Sequence, residues 1–133
     1  MGHLPPMLDL LLIDDDDMLI ADANAVSHTS IRIAIARDVV SARRLAADWH
    51  FDAVALNVAL DGGLDLIATL VGDSLGAPVI AIAAHGLAGR TLENTLTIAE
   101  LRGAALSLPK PIDAIELVAA AVAQAARSAK AAA

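Results

Sequence analysis

The chain of 133 residues contains no cysteine and almost no aromatic residues. The absence of cysteine excludes disulfide scaffolds and sites that depend on a thiol. With one tryptophan, one phenylalanine and no tyrosine, the core volume has to come from closely packed Leu, Ile, Val and Ala side chains. Hydrophobic residues still make up 57% of the chain. We therefore expect a single domain over residues 1–133, with a sizeable core between about residues 8 and 127 and short tails on either side.

Basic residues and long apolar runs are also scarce. Nine Lys and Arg face sixteen Asp and Glu, which gives a formal net charge of −7 and a sequence pI near 4.7. This balance argues against nucleic acid as a direct partner, because phosphate backbones are bound by clustered basic side chains. The mean hydropathy is +0.64, yet no uncharged apolar stretch reaches the roughly 18 residues of a membrane span. Residues 1–6 have neither a signal-peptide pattern nor a lipidation motif, so we expect a cytoplasmic protein without membrane contact.

Strand and helix patterns alternate along the chain. Short apolar runs predict strands at residues 10–13, 31–36, 52–56, 79–83 and 104–108. Helical spacing between them predicts helices at residues 17–28, 38–49, 64–75, 90–102 and 112–126. Asp16 or Asp17 is expected to cap the first helix. The last helix is expected to bury the face that contains Ile115, Val118, Ala119 and Val122.

Strict alternation of strands and helices favours a parallel sheet with right-handed crossovers and helices on both faces. The second strand has one more polar face, which suits a sheet edge. We therefore predict an α/β fold of three layers, doubly wound, with five parallel strands in the order 2-1-3-4-5. In such folds the functional site lies beyond the carboxyl ends of the strands. Those ends carry residues 14–17, 57–59, 83–85 and 109–111.

Three segments together resemble one known family. They are the apolar run that ends in Asp14, Asp15 and Asp16, the strand from Asp52 to Asn57, and the segment from Gly103 to Pro111 with its lysine. In order and spacing they resemble the receiver domains of two-component response regulators, the CheY-like family, over nearly the whole chain. The resemblance implies a flavodoxin-like fold and a role in phosphorelay signal transduction.

The resemblance also implies a site. It implies that Asp14 and Asp15 form an acidic pocket and that Asn57 occupies the position of the phosphate acceptor. Lys110 then occupies the position of the family's lysine, with a cis peptide bond before Pro111. The family's Mg²⁺ would be held by Asp15, by residue 57 and by the backbone carbonyl of Ala59.

The chain departs from the family at three positions of the phosphorylation switch. Asn57 stands where the family has the phosphorylated aspartate, and an amide cannot form an acyl phosphate. Ala83 replaces a Ser or Thr, and Ser107 replaces an aromatic residue. We expect Mg²⁺ binding to be weak or lost, since the Asn57 amide oxygen is at best a neutral ligand. We also expect Lys110 to pair with Asp14 or Asp15 and to hold the pocket without a metal ion.

These observations favour a stand-alone pseudo-receiver, which is not an enzyme and acts by binding other proteins. A histidine kinase, a phosphotransfer protein or a second copy of the chain, through residues of about 90–126, is the expected partner. One alternative is a response regulator phosphorylated on Asp15, Asp16 or Asp61. Another is a small Mg²⁺-dependent phosphatase with an aspartate nucleophile, because the run that starts at Asp14 also resembles the Asp-x-Asp start of haloacid dehalogenase-like enzymes. For the aspartate run, helix capping alone is the competing interpretation. Two capping acids would suffice and four are present, so we expect Asp16 and Asp17 to cap the helix and Asp14 and Asp15 to belong to the pocket.

Overall fold

A computed structural model of the chain describes residues 7–28, 30–73 and 77–132. Strands and helices alternate in it from one end to the other. The strands are β1 (Leu8–Ile13), β2 (Ile31–Ala36), β3 (Ala53–Asn57), β4 (Val79–Ala83) and β5 (Leu106–Pro109). The helices are α1 (Asp17–Val26), α2 (Val39–Asp48), α3 (Gly63–Asp73), α4 (Leu92–Leu101) and α5 (Ala114–Ala132).

The five strands form one parallel sheet in the order β2-β1-β3-β4-β5. This confirms the predicted fold, including the position of β2 at an edge. Strand β1 pairs with β2 and β3, so the point at which the order reverses lies between the carboxyl ends of β1 and β3. Doubly wound sheets place their sites at this point.

Side chains on the central strands alternate between two cores, because successive residues of a strand point to opposite faces. In β1, Leu11 and Ile13 face one core, whereas Leu10 and Leu12 face the other. The first core lies under α2, α3 and α4, and the second lies under α1 and α5. Strands β3 and β4 are buried along their whole length, which explains their continuous apolar sequence.

Helix starts at the carboxyl edge of the sheet are fixed by short polar side chains. Asp16 caps α1 by accepting hydrogen bonds from the N–H groups of Met18 and Leu19. Asp38 caps α2 through the N–H of Ser41, and this backbone hydrogen bond lowers the pKa of Asp38. These contacts satisfy N–H groups that a helix leaves free in its first turn.

The prediction of the buried face of α5 is only partly right: Val118 and Val122 pack partly buried against the second core, but Ile115 and Ala119 are exposed. The buried residues are Ala114, Leu117, Ala121 and Ala125, whereas Ile115 has 69% of its surface exposed. The helix begins where the N–H of Ala114 donates to Asp22 Oδ2 of α1, at 2.7 Å, and where Asp113 accepts from the N–H of Glu116. These contacts set the rotation of α5 against the sheet.

The other differences concern boundaries. Asn57 is the last residue of β3, and β5 starts two residues later than predicted. Of the predicted third helix, residues 74 and 75 lie outside the described residues, as do residues 1–6 of the amino-terminal tail and residue 133. Within the described ranges, no helix is both long and apolar enough to cross a membrane.

Candidate functional site

The carboxyl edge of the sheet brings together residues that are far apart in the sequence. Asp14 follows β1, Asn57 ends β3, and Lys110 follows β5. The N–H of Lys110 donates to the carbonyl oxygen of Ala83 at 2.8 Å, which ties the lysine to the end of β4. The predicted neighbourhood of Asp14, Asn57 and Lys110 therefore exists in the structure.

Asp14 is the centre of the cluster and has no exposed surface. Its Oδ1 atom accepts from Asn57 Nδ2 at 3.0 Å and from the N–H of Asp16 at 3.1 Å. Its Oδ2 atom lies 2.9 Å from Lys110 Nζ, although the contact lacks the alignment of a hydrogen bond. A buried carboxylate needs such compensation, since an unpaired one is strongly destabilising.

The amide of Asn57 is oriented by a neighbour on each side. Its Oδ1 atom accepts from the N–H of Ala59 at 2.9 Å, while its Nδ2 atom donates to Asp14. Because a backbone N–H is only a donor and a carboxylate oxygen is an acceptor, both contacts require the same amide orientation. Asn57 therefore presents an NH₂ group, and not an oxygen, to the acidic pocket.

Lys110 reaches into the pocket and bridges two carboxylates. Besides Asp14, its Nζ atom contacts Asp16 Oδ2 at 3.0 Å, and only 11% of its side chain is exposed. Burial alone would lower the pKa of Lys110, but pairing with Asp14 and Asp16 outweighs it and raises the pKa above its usual value. The peptide bond between Lys110 and Pro111 is cis, as the family resemblance implies.

The second carboxylate at the lysine is that of Asp16, and not that of Asp15. The sequence predicts Asp16 as a cap of α1 or as an alternative phosphate acceptor, but not as a partner of Lys110. In the structure Oδ1 of Asp16 caps α1 and Oδ2 binds Lys110. The hydrogen bond from Lys110 lowers the pKa of Asp16, and the N–H groups of α1 add to that effect. Asp15 is exposed, and Asp17 pairs with Arg37. The double role of Asp16 cannot be predicted from sequence spacing, because it depends on where the end of β5 places Lys110.

The arrangement does not fit a divalent metal ion. Mg²⁺ requires hard oxygen ligands in an octahedron, but the amide oxygen of Asn57 is already bonded to Ala59 and its NH₂ group faces the pocket. The ammonium of Lys110 adds a positive charge at the same carboxylates. Among the described residues, no three His, Cys, Asp or Glu side chains form a group that could hold a metal.

The two remaining switch positions are occupied by residues with other contacts. Ala83 is fully buried in the sheet and offers only a methyl group. Ser107 donates from its Oγ atom to Glu100 Oε2 at 2.5 Å, which ties β5 to α4. Asp61 is exposed in the loop between β3 and α3, beside a depression of about 340 Å³.

A groove of about 1110 Å³ opens beside the cluster, between the start of α1 and the start of α5. Leu19 and Ile112 contribute apolar surface to it, and Lys110 lies at the end nearest the pocket. Its polar edge is mainly acidic, with Asp22, Asp113 and Glu116. Met18, at the start of α1, lines the groove with 84% of its surface exposed.

The fold matches that of solved CheY-like receiver domains of response regulators. A CheY-like receiver domain protein from Methanospirillum hungatei JF-1 has a TM-score of 0.80 at 16% identity, and the match covers 94% of this chain and 98% of that one. NtrX from Brucella abortus, in complex with ADP, has a TM-score of 0.75 at 28% identity. That match covers 94% of this chain but 27% of NtrX, so the chain spans about a quarter of that protein.

A third neighbour carries a phosphoryl group and a metal ion. It is a response regulator from Burkholderia pseudomallei with a phosphorylated aspartic acid, a calcium ion and citrate. It has a TM-score of 0.73 at 25% identity, and the match covers 93% of this chain and 71% of that one. No family model and no curated protein matches the chain in sequence. The structural neighbours support a module of two-component signalling.

Proposed function

We propose that the chain is a receiver-like module of two-component signalling that is not phosphorylated at the usual position and acts by binding other proteins, without enzymatic activity. The observation that carries the proposal is Asn57. Its amide lies at the acceptor position, 3.0 Å from Asp14, and its orientation is fixed from both sides. An amide there has neither the charge nor the nucleophilicity that acyl phosphate formation requires.

The positions around Asn57 support the same proposal. A phosphoryl group at residue 57 would find no hydroxyl at Ala83, and its charge would lie beside the buried Asp14 carboxylate. Ser107 is bonded to Glu100 on α4. The route from the acceptor to α4 and β5 therefore lacks the groups that respond to phosphate in the family.

The groove beside the pocket is the surface that we assign to a protein partner. It combines apolar side chains with an acidic edge and lies next to Lys110. In two-component signalling the partner is a histidine kinase or a phosphotransfer protein, and a cytoplasmic location belongs to the same proposal. A partner bound in the groove would also cover Met18, which lines it and is exposed.

The test is intact-mass analysis after incubation with acetyl phosphate and Mg²⁺. We expect no added phosphoryl group in the natural chain, whereas Asn57→Asp supplies the missing carboxylate and serves as the positive comparison. A phosphoryl adduct on the natural chain would contradict the proposal. Asp15→Asn, Asp16→Asn and Asp61→Asn would then show whether one of the alternative carboxylates accepts the group.

The phosphatase alternative has its own control. A Mg²⁺-dependent assay with an aryl phosphate should show no turnover above buffer for the natural chain. Turnover that disappears in Asp14→Asn would support the enzyme instead. The complete burial of Asp14 and its contacts to Asn57 and Lys110 favour the non-enzymatic proposal, because the carboxylate is not open to a substrate.

A second copy of the chain is the other partner that we propose, through residues 90–126. In this segment Leu101 at the end of α4 and Ile115 at the start of α5 are exposed apolar side chains. Sedimentation at increasing concentration tests this association. Leu101→Ser should weaken it, whereas Val40→Ser on the exposed side of α2 should not.

A further inference from the structure

We infer that the ammonium group of Lys110 is the resident cation of this site, held between Asp14 and Asp16 where a divalent metal would otherwise be needed, and that Asp16 positions it. This inference deepens the proposed function, since it rests on a pocket that works without phosphate and metal. Its test measures cation binding and therefore does not depend on phosphorylation.

The charge balance of the cluster requires a cation. Asp14 has no exposed surface, and Asp16 lies beside it at the same end of β1. Two neighbouring carboxylates repel each other, and a fully buried one is costly without a positive partner. Lys110 Nζ lies 2.9 Å from one carboxylate and 3.0 Å from the other, so a single ammonium compensates both.

Asp16 is the positioning residue because it is itself fixed. Its Oδ1 atom is bonded to two N–H groups of α1, which leaves Oδ2 directed at the lysine. A lysine side chain is a flexible point charge with three donors. The fixed carboxylate of Asp16 therefore restricts the ammonium of Lys110 to the pocket.

Removal of the ammonium frees Asp14 Oδ2 and Asp16 Oδ2, and two carboxylates together with water can hold a divalent cation even though the NH₂ group of Asn57 is no ligand. In Lys110→Gln a shorter, neutral side chain with two N–H donors replaces the ammonium, so Asp14 and Asp16 lose their positive partner. We expect this variant to unfold at a lower temperature than the natural chain and to be stabilised by Mg²⁺ or Ca²⁺. At a cation concentration about tenfold above the dissociation constant, the melting temperature should rise by about 5 °C.

Lys130 provides the matched control, since Lys110 and Lys130 are the two lysines of the chain. Lys130 is exposed in the last turn of α5. Lys130→Gln and the natural chain should show the same, negligible response to Mg²⁺. The inference is overturned if Lys110→Gln responds no more than Lys130→Gln, or if the natural chain is stabilised as strongly as the variant.

A second measurement uses the natural chain and does not depend on the folding of Lys110→Gln. Nitrogen-15 NMR of lysine ammonium groups should show a slowly exchanging signal for Lys110, and Lys130→Gln assigns the other one. Asp16→Asn keeps a capping residue but removes the charge, so it should broaden or shift the Lys110 signal. Asp17→Asn in the same turn, whose carboxylate pairs with Arg37, should leave it unchanged. An unaltered Lys110 signal in Asp16→Asn would overturn the role of Asp16.

The two proposals can fail separately. Phosphorylation of the natural chain would contradict the proposed function but would leave the cation response of Lys110→Gln as it is. Conversely, absence of that response together with absence of phosphorylation would contradict only the inference about Lys110.

Discussion

Asn57 lies between a buried carboxylate and a backbone N–H, and these two neighbours determine what it can do. The amide donates to Asp14 and accepts from Ala59. A carboxylate at the same position could accept from Ala59 but could not donate to Asp14. One atom, nitrogen in place of oxygen, therefore separates a pocket in which residue 57 donates a hydrogen bond to Asp14 from one in which two negative charges lie side by side.

We predict that Asn57→Asp destabilises the chain. The substitution removes the donor to a fully buried carboxylate and places a second negative charge about 3 Å from it. The expected loss is about 2 kcal/mol in the free energy of unfolding, measured by urea unfolding at neutral pH without divalent cations. Mg²⁺ should restore part of the loss.

Asn94→Asp is the control for this substitution, because Asn94 is exposed in the first turn of α4. Its free energy of unfolding should stay within about 0.5 kcal/mol of the natural chain. Equal stability of Asn57→Asp and the natural chain would show that the amide does not compensate Asp14.

The pair of Lys110 and Asp16 predicts how stability depends on pH. The pKa of Asp16 is lowered in the folded chain from an ordinary value of 3.8, chiefly by the hydrogen bond from Lys110. Its contribution is present above the unfolded pKa and disappears as the pH falls through the lower, folded pKa. The pKa of Lys110 is raised from 10.5, so its contribution is present below that value and disappears as the pH rises through the folded pKa.

Melting temperatures recorded between these limits should therefore form a plateau. In Asp16→Asn the fall on the acidic side should be shallower than in the natural chain, because one titrating group with a lowered pKa is missing. Asp48→Asn, at the exposed end of α2, is the comparison that changes the net charge equally. If the melting temperatures of the natural chain, Asp16→Asn and Asp48→Asn fall equally on the acidic side, the assignment of the lowered pKa to Asp16 is contradicted.

At the scale of the elements, the sequence predicts the order of strands and helices well and the rotation of helices less well. Apolar strands that end in polar residues predict all five strands, and the sheet order follows from alternation and from the polar face of β2. Helix α5 contains alanine on every side, so hydrophobic periodicity alone does not choose its buried face. The contacts of Asp22 and Asp113 at the start of α5 determine its buried face, and these contacts are visible only in the three-dimensional structure.

The rotation of α5 can be tested with two alanines of the same helix. Ala121 is fully buried and Ala119 is exposed. Ala121→Glu should lose about 3 kcal/mol or more in the free energy of unfolding, because it buries a charge without a partner. Ala119→Glu should change it by no more than about 0.5 kcal/mol. A larger loss of unfolding free energy in Ala119→Glu than in Ala121→Glu would support the buried face predicted from the sequence.

The candidate site was predictable as far as the strand ends determine it. The topology places Asp14, Asn57 and Lys110 at one edge, and the resemblance to receiver domains is what singles out Asn57 and Lys110 in the sequence. The partners of each polar atom were not predictable in the same way. Only the three-dimensional contacts show that Lys110 binds Asp16 and not Asp15, and that Asn57 turns its NH₂ group towards Asp14.

At the scale of the whole molecule, the cluster connects the ends of three strands to the start of α1. Strand β4 joins it through the Ala83 carbonyl, and Ser107 on β5 is bonded to α4. In the solved neighbour from Burkholderia pseudomallei a phosphorylated aspartic acid and a calcium ion are present. In this chain the amide of Asn57 and the ammonium of Lys110 lie beside Asp14 at the carboxyl edge of the sheet.

The measurement that tests this account most directly is a titration of the backbone amide NMR signals with Mg²⁺, first alone and then with beryllofluoride, which mimics a phosphoryl group on an aspartate. The account predicts no saturable shifts at Asp15, Asn57, Ala59 or Lys110 in either titration. Saturable shifts at these residues that spread to α4 and α5 when beryllofluoride is added would contradict it, because some carboxylate of the chain would then still accept phosphate and transmit the change.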